Sequence, residues 1–91
     1  MKTIYKFKLP IRDVAEQYIP KGSKVLSVGM QGDNLCFWAE VDTAEKEFVL
    51  RRFRVAGTGY PLECGMKLGR FLGTVFERVF VWHVYEEKDP E

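Results

Sequence analysis

The sequence predicts an all-β domain, a small antiparallel barrel or sandwich of six to seven short strands. Three features carry that expectation: apolar and polar residues alternate with period two, turn-forming residues recur at short regular intervals, and little of the chain reads as helix.

The opening run KTIYKFKLP sets Thr3, Tyr5, Phe7 and Leu9 on one side and Lys2, Lys6 and Lys8 on the other, which is the pattern of a half-buried strand. Asp13 to Ile19 fits either a helical turn or a short edge strand; strand is preferred, closed by the turn residues Pro20-Lys21-Gly22-Ser23. From Lys24 to Met30 the β-branched and apolar residues resume. Gly32-Asp33-Asn34 then supplies residues that tolerate positive φ, directly before NLCFWAEV, and this is the strongest hairpin signal in the chain. The second strand of that hairpin is apolar on both faces, with Leu35, Phe37, Ala39 and Val41 on one and Cys36 and Trp38 on the other. A central strand covered on both sides reads this way.

The charged connection DTAEKE leads into EFVLRRFRVA, where Arg51 shares a face with Val49, Phe53 and Val55, and Arg52 and Arg54 share the other with Phe48 and Leu50. Residues 57–69 hold four glycines and Pro61 and are expected to form one long glycine-rich loop, a feature more often functional than decorative in small domains. The run GRFLGTVFERVFVWHVYEE reads as two aromatic-rich strands meeting near Glu77-Arg78, with Gly73 marking a bulge or a close backbone approach. Residues 86–91 are expected to be a frayed, solvated tail. With no interior linker or repeat, residues 1–91 read as a single domain, of a size that buries about 60–65 % of its unfolded surface.

Composition narrows the function classes. Fourteen Lys and Arg against thirteen Asp and Glu leave a formal charge of +1, so the molecule lacks the whole-body field of a dedicated polyanion binder and any anion recognition must be local. Aromatic residues make up 14 %, more than a thin core easily hides, which predicts homo-oligomerisation or another apolar contact. Two distant cysteines and one histidine do not suffice for a structural zinc site, and no cofactor is expected. The chain has no apolar run of the roughly 18 residues a membrane helix needs, and no export signal opens it. A cytoplasmic protein with reduced thiols is the expectation.

Arg52 and Arg54, two apart on a strand, project to one face about 6.5–7 Å from each other, and their planar forks suit phosphates or carboxylates. The competing interpretation pairs them with Glu40, Glu45 or Glu47. The adjacent GTGYP can turn backbone N–H groups toward an anion, with the Thr58 hydroxyl, the freedom of Gly59 and the Tyr60 ring alongside, but neither nucleotide fingerprint is present and a plain turn explains it equally. His83 is expected to be packed or interfacial; nucleophilic catalysis with Cys36 or Cys64 would require hydrogen-bond reach and an orienting third group. Trp38 and Trp82 suit base stacking, yet the basic residues are offset by many acids, so nucleic acid is not the favoured partner. The ligand-binding set is therefore Arg52, Arg54, Thr58, Gly59, Tyr60, Trp38 and His83, with no catalytic and no metal-binding residue assigned.

The order KTIYKF, PKGSKVLSV, CFWAEVD, RRFRVAGTGYP, LGRFLGT and VFVWHVYE is similar to a family of short phage and prophage proteins of unknown function, over almost the whole chain. Where members of that family carry a GTGHP-like loop this chain has Tyr60, so no histidine role transfers to that position. Glu77-Arg78 stands where a glycine pair is expected. The resemblance implies a phage accessory protein inside a bacterial cell, a binder that counters a host enzyme or defence system. Three functions follow as expectations: a non-catalytic protein sequestering a small anionic or nucleotide ligand, an inhibitor or adaptor docking on a host protein through an aromatic β face, and a small hydrolase of a nucleotide signal using His83 or a carboxylate.

Overall fold

Seven strands follow one another along the chain: β1 (Lys2–Leu9), β2 (Val14–Pro20), β3 (Lys24–Gln31), β4 (Asn34–Asp42), β5 (Phe48–Gly57), β6 (Leu68–Glu77) and β7 (Phe80–Glu87). The computed structural model describes residues 1–62 and 67–87, and these contain no helix, hence none long and apolar enough to cross a membrane. Every pairing is antiparallel. β1, β4 and β3 form a three-stranded sheet with β4 in the middle, and β2, β5, β7 and β6 form a four-stranded sheet in that order.

The two sheets do not close on one another, so of the two architectures expected the chain adopts the sandwich. Phe37 of β4 and Phe53 of β5, both fully buried, meet across the interface with ring centroids 4.7 Å apart, and Phe7 of β1 stacks on Phe37 at 5.1 Å. Such an aromatic pair, joining one sheet to the other, is where the thin core gains most from burial. Along the seam between β3 and β6, Arg70 Nη1 donates to the Val25 carbonyl at 2.8 Å, covering part of an edge that would otherwise be open to other chains. On the same seam Gly73 sits at a register shift with φ 154°, and a Cβ there would lie 3.0 Å from Val28 Cγ2. The glycine thus provides both the bulge and the close approach.

β3 and β4 are joined through Gly32-Asp33, with Gly32 at φ 61°, as the hairpin signal indicated. β6 and β7 turn at Arg78-Val79, where Arg78, with no glycine to relieve it, holds φ 56°. Three expectations need amendment. β5 ends at Gly57 and β6 begins at Leu68, so the connection expected at 57–69 is shorter at both ends; residues 63–66 within it, including Cys64, lie outside the described residues. Glu86 and Glu87, read as the start of a frayed tail, are the last residues of β7, because two arginines of β5 hold them; residues 88–91 lie outside the described set. β4 is central, but only its Phe37 face is covered by the second sheet, and its Trp38 face points outward.

Candidate binding site at the Thr58–His83 corner

β5 reaches the end of its pairing with β7 at Gly57, where the sequence turns. The Thr58 amide donates to the Val81 carbonyl at 3.1 Å, and the Tyr60 amide returns to the Gly57 carbonyl at 3.1 Å, with Gly59 at φ 89°. That conformation is strained for any residue with a Cβ. Gly57 lies between two aromatic side chains: a Cβ on it would sit 3.3 Å from both Trp82 and Tyr60. Its missing side chain is what lets Tyr60 fold back against the strand.

On the outer face of the four-stranded sheet, β7 places His83 opposite Ala56 of β5 on one side and Thr74 of β6 on the other. Thr58 Oγ1 lies 2.7 Å from His83 Nε2, and Thr74 Oγ1 lies 3.0 Å from Nδ1. The imidazole is thus held at both nitrogens by hydroxyls, each able to donate or accept. Tyr85, two residues along the same face, together with Tyr60 and Leu62, closes a cleft of about 190 Å³ over this pair. Thr58, Gly59, Tyr60 and His83, four of the seven residues singled out from sequence, converge here.

The arginines do something else. Arg52 Nε donates to Glu16 Oε2 of the neighbouring strand at 2.7 Å, and Arg54 Nε donates to Glu87 Oε2 at 3.1 Å, while Glu87 Oε1 stands 3.9 Å from Arg52. Glu87, its side chain only 9 % exposed, occupies the space between the two guanidinium groups that an external anion would need. The partners expected from sequence are Glu40, Glu45 or Glu47; the strand order supplies Glu16 and Glu87 instead, because β5 is flanked by β2 and β7. Arg54 also lines a neighbouring cleft with Asp13 and Tyr60. Arg51 points inward and pairs with Glu86, and its Nη1 donates to the Ser23 carbonyl at 3.1 Å.

A family model matches residues 1–91, the full length of the chain. The chain belongs to the family described as a domain of unknown function (DUF7352). No curated protein and no solved structure matches it significantly. What the site can do therefore has to be drawn from its chemistry.

A proton taken by His83 from Thr58 would leave an imidazolium facing a neutral hydroxyl, Thr74, where hydrolytic triads place a carboxylate. The Cys36–His83 combination is not formed: Cys36 is buried in β4 on the other sheet, its Sγ 3.7 Å from the Asn34 carbonyl. Trp38 likewise lies on the outer face of the three-stranded sheet, away from the corner. Trp82 borders the corner from the other side, donating through Nε1 to Glu77 at 3.2 Å and stacking on Phe80 at 5.6 Å.

Two residues of the corner, Thr74 and Tyr85, were absent from the sequence-derived set. Thr74 was within reach: once the hairpin turn is placed at residues 78–79, counting back four residues on one strand and forward four on the other brings Thr74 opposite His83. Tyr85 follows as the next outward residue of β7.

Proposed function

We propose that this protein is a non-catalytic binding module that docks on a protein of its host through the outer face of the four-stranded sheet, with the Thr58–His83 cleft receiving one side chain of the partner. The observation that carries the proposal is that this face keeps large apolar groups in water, Tyr18 at 60 %, Phe71 at 51 % and Phe76 at 69 % exposure, with Leu50 beside Tyr18. A soluble domain rarely leaves many such groups on one face without a use for them. The charges among them, Glu16, Arg52, Glu87 and Arg54, alternate in sign, so the face can be covered without stranding a lone charge.

Size separates this from sequestration of a nucleotide. Sites for drug-sized ligands span about 300–1,000 Å³, and the corner cleft holds about 190 Å³. One aromatic side chain, beside the Thr58 hydroxyl and flanked by Tyr60 and Tyr85, suits it better than a base, sugar and phosphate together. The anionic-ligand reading also loses the open arginine pair it relied on. The setting of a phage accessory protein in the host cytoplasm, opposing a host enzyme or defence system, belongs to this proposal through the resemblance alone.

The test compares wild type with a Phe71→Ser, Phe76→Ser double variant, both checked for unaltered thermal unfolding. The expected result is a stoichiometric complex with a host protein that survives gel filtration and is lost in the variant. A self-associated wild type that becomes monomeric in the variant would instead assign the face to a second copy of the chain. Calorimetric heat with a nucleotide, abolished by His83→Ala, would overturn the proposal in favour of sequestration.

A further inference from the structure

The outer face of the other sheet has a different character. Strand alternation puts Lys2, Ile4, Lys6 and Lys8 of β1 on it, with Cys36, Trp38, Glu40 and Asp42 of β4 and Lys24, Ser27, Gly29 and Gln31 of β3. Trp38 stands at its centre, directly opposite Lys6 on one side and Ser27 on the other. Its ring reaches over β3, where a Cβ on Gly29 would lie 3.4 Å from Trp38 Cζ3, so the glycine lets the indole lie against the sheet, half exposed.

The acids on this face are already engaged. Glu40 lies 3.7 Å from the Lys2 ammonium, and Asp42 accepts from the Ala44 amide at 3.0 Å and lies 3.3 Å from the terminal ammonium. Among the described residues no carboxylate lies within ion-pair distance of Lys6, Lys8 or Lys24. Lys6 spans β4 to donate to Gln31 of β3, which holds its ammonium over the sheet beside Trp38 instead of trailing in solvent. Cys36 is 1 % exposed on this open face, beneath that span.

We infer that this face binds single-stranded nucleic acid, with Trp38 stacking one base and Lys6, Lys8 and Lys24 contacting phosphates. Lys8, opposite Cys36, and Lys24, opposite Glu40, lie one outward position to either side of Trp38, and Lys6 reaches across β4 beside it, so cations border the indole along the sheet. A flat sheet with one aromatic platform and a basic border is a single-strand architecture, since entering a duplex groove takes a helix or a protruding ribbon. The near-neutral total charge conceals this, because Arg51, Arg52 and Arg54 are paired with carboxylates in the opposite sheet while Lys2, Lys6, Lys8 and Lys24 share this face. This inference stands apart from the proposed docking function, whose residues lie on the other face.

The test uses a labelled oligothymidylate of about twelve nucleotides, within the usual site size of such folds, with a duplex of equal length and anionic phospholipid vesicles as separate arms. Trp38 fluorescence is read in a Trp82→Phe background. Quenching by the oligonucleotide at low salt is expected, with log K falling against log salt at a slope of about −2 for three phosphate contacts. Lys6→Glu with Lys8→Glu, both exposed in the fold, is expected to abolish binding, and Trp38→Ala to weaken it about 5- to 150-fold. Absence of quenching at low salt, binding indifferent to the lysine reversals, or preference for duplex or vesicles over the single strand would overturn the inference.

Discussion

Glu87 accepts a hydrogen bond from Arg54 Nε at 3.1 Å, and by doing so places a carboxylate where the paired guanidinium groups of β5 would otherwise meet an external anion. The arginine face is thereby an internally balanced surface. Removing this carboxylate is the direct way to test that reading. Glu87→Gln is expected to lower stability by about 1–2 kcal/mol, for loss of a charge-assisted hydrogen bond on a mostly buried acceptor, which corresponds to a fall in Tm of roughly 5–15 °C. The same variant should acquire sulfate or nucleotide affinity in calorimetry. Equal affinity in wild type and variant would show that Glu87 does not block the site.

Arg51 and Glu86 form the inward counterpart, at 20 % and 13 % side-chain exposure, with Ser23 as a further acceptor. Breaking such a pair from one side leaves a poorly solvated charge, so Arg51→Ala is expected to cost about 3 kcal/mol in urea unfolding. Replacing both, Arg51→Met with Glu86→Leu, should recover most of that loss. An additive double variant would indicate that the two side chains do not interact.

Arg78 holds φ 56° in the β6–β7 turn, a conformation that costs an L-residue about 1–2 kcal/mol. Arg78→Gly is expected to raise Tm by a few degrees, since relief of strain exceeds the added chain entropy. An unchanged or lower Tm would mean the arginine side chain makes a compensating contact.

Asp42 titrates below its ordinary 3.8, first because the Ala44 amide donates to it and then because the terminal ammonium is nearby. Its pKa is lower folded than unfolded, so its contribution to stability is complete above pH 3.8 and disappears as pH falls through the folded value. Carboxyl-carbon NMR should find the midpoint below 3.8, and Asp42→Asn should flatten the acid limb of the stability profile. A midpoint at or above the ordinary value would contradict the hydrogen bond.

The fold class, the strand boundaries to within a residue or two, the Gly32-Asp33 hairpin, the central β4 and the Gly73 bulge all followed from period-two alternation and glycine placement. These are local properties, set by how neighbouring residues share a pleat, and a linear sequence carries them. The corner at Thr58 was legible for a similar reason, since Gly57, Gly59 and Pro61 announce a turn and Thr74 is one hairpin count away from His83.

What the chain order did not contain is which strands lie side by side. β5 sits between β2 and β7, strands far from it in sequence, and that adjacency alone gives Arg52 to Glu16 and Arg54 to Glu87 instead of to nearer acids. The same long-range pairing sorted a nearly neutral composition into one sheet face with its charges cancelled and another with three lysines around a tryptophan. Composition sums charge over the molecule, whereas recognition depends on charge within a Debye length. The sequence by itself therefore determined the kind of sheet this protein builds, and the tertiary structure decided which of its charged groups remain available to anything outside it.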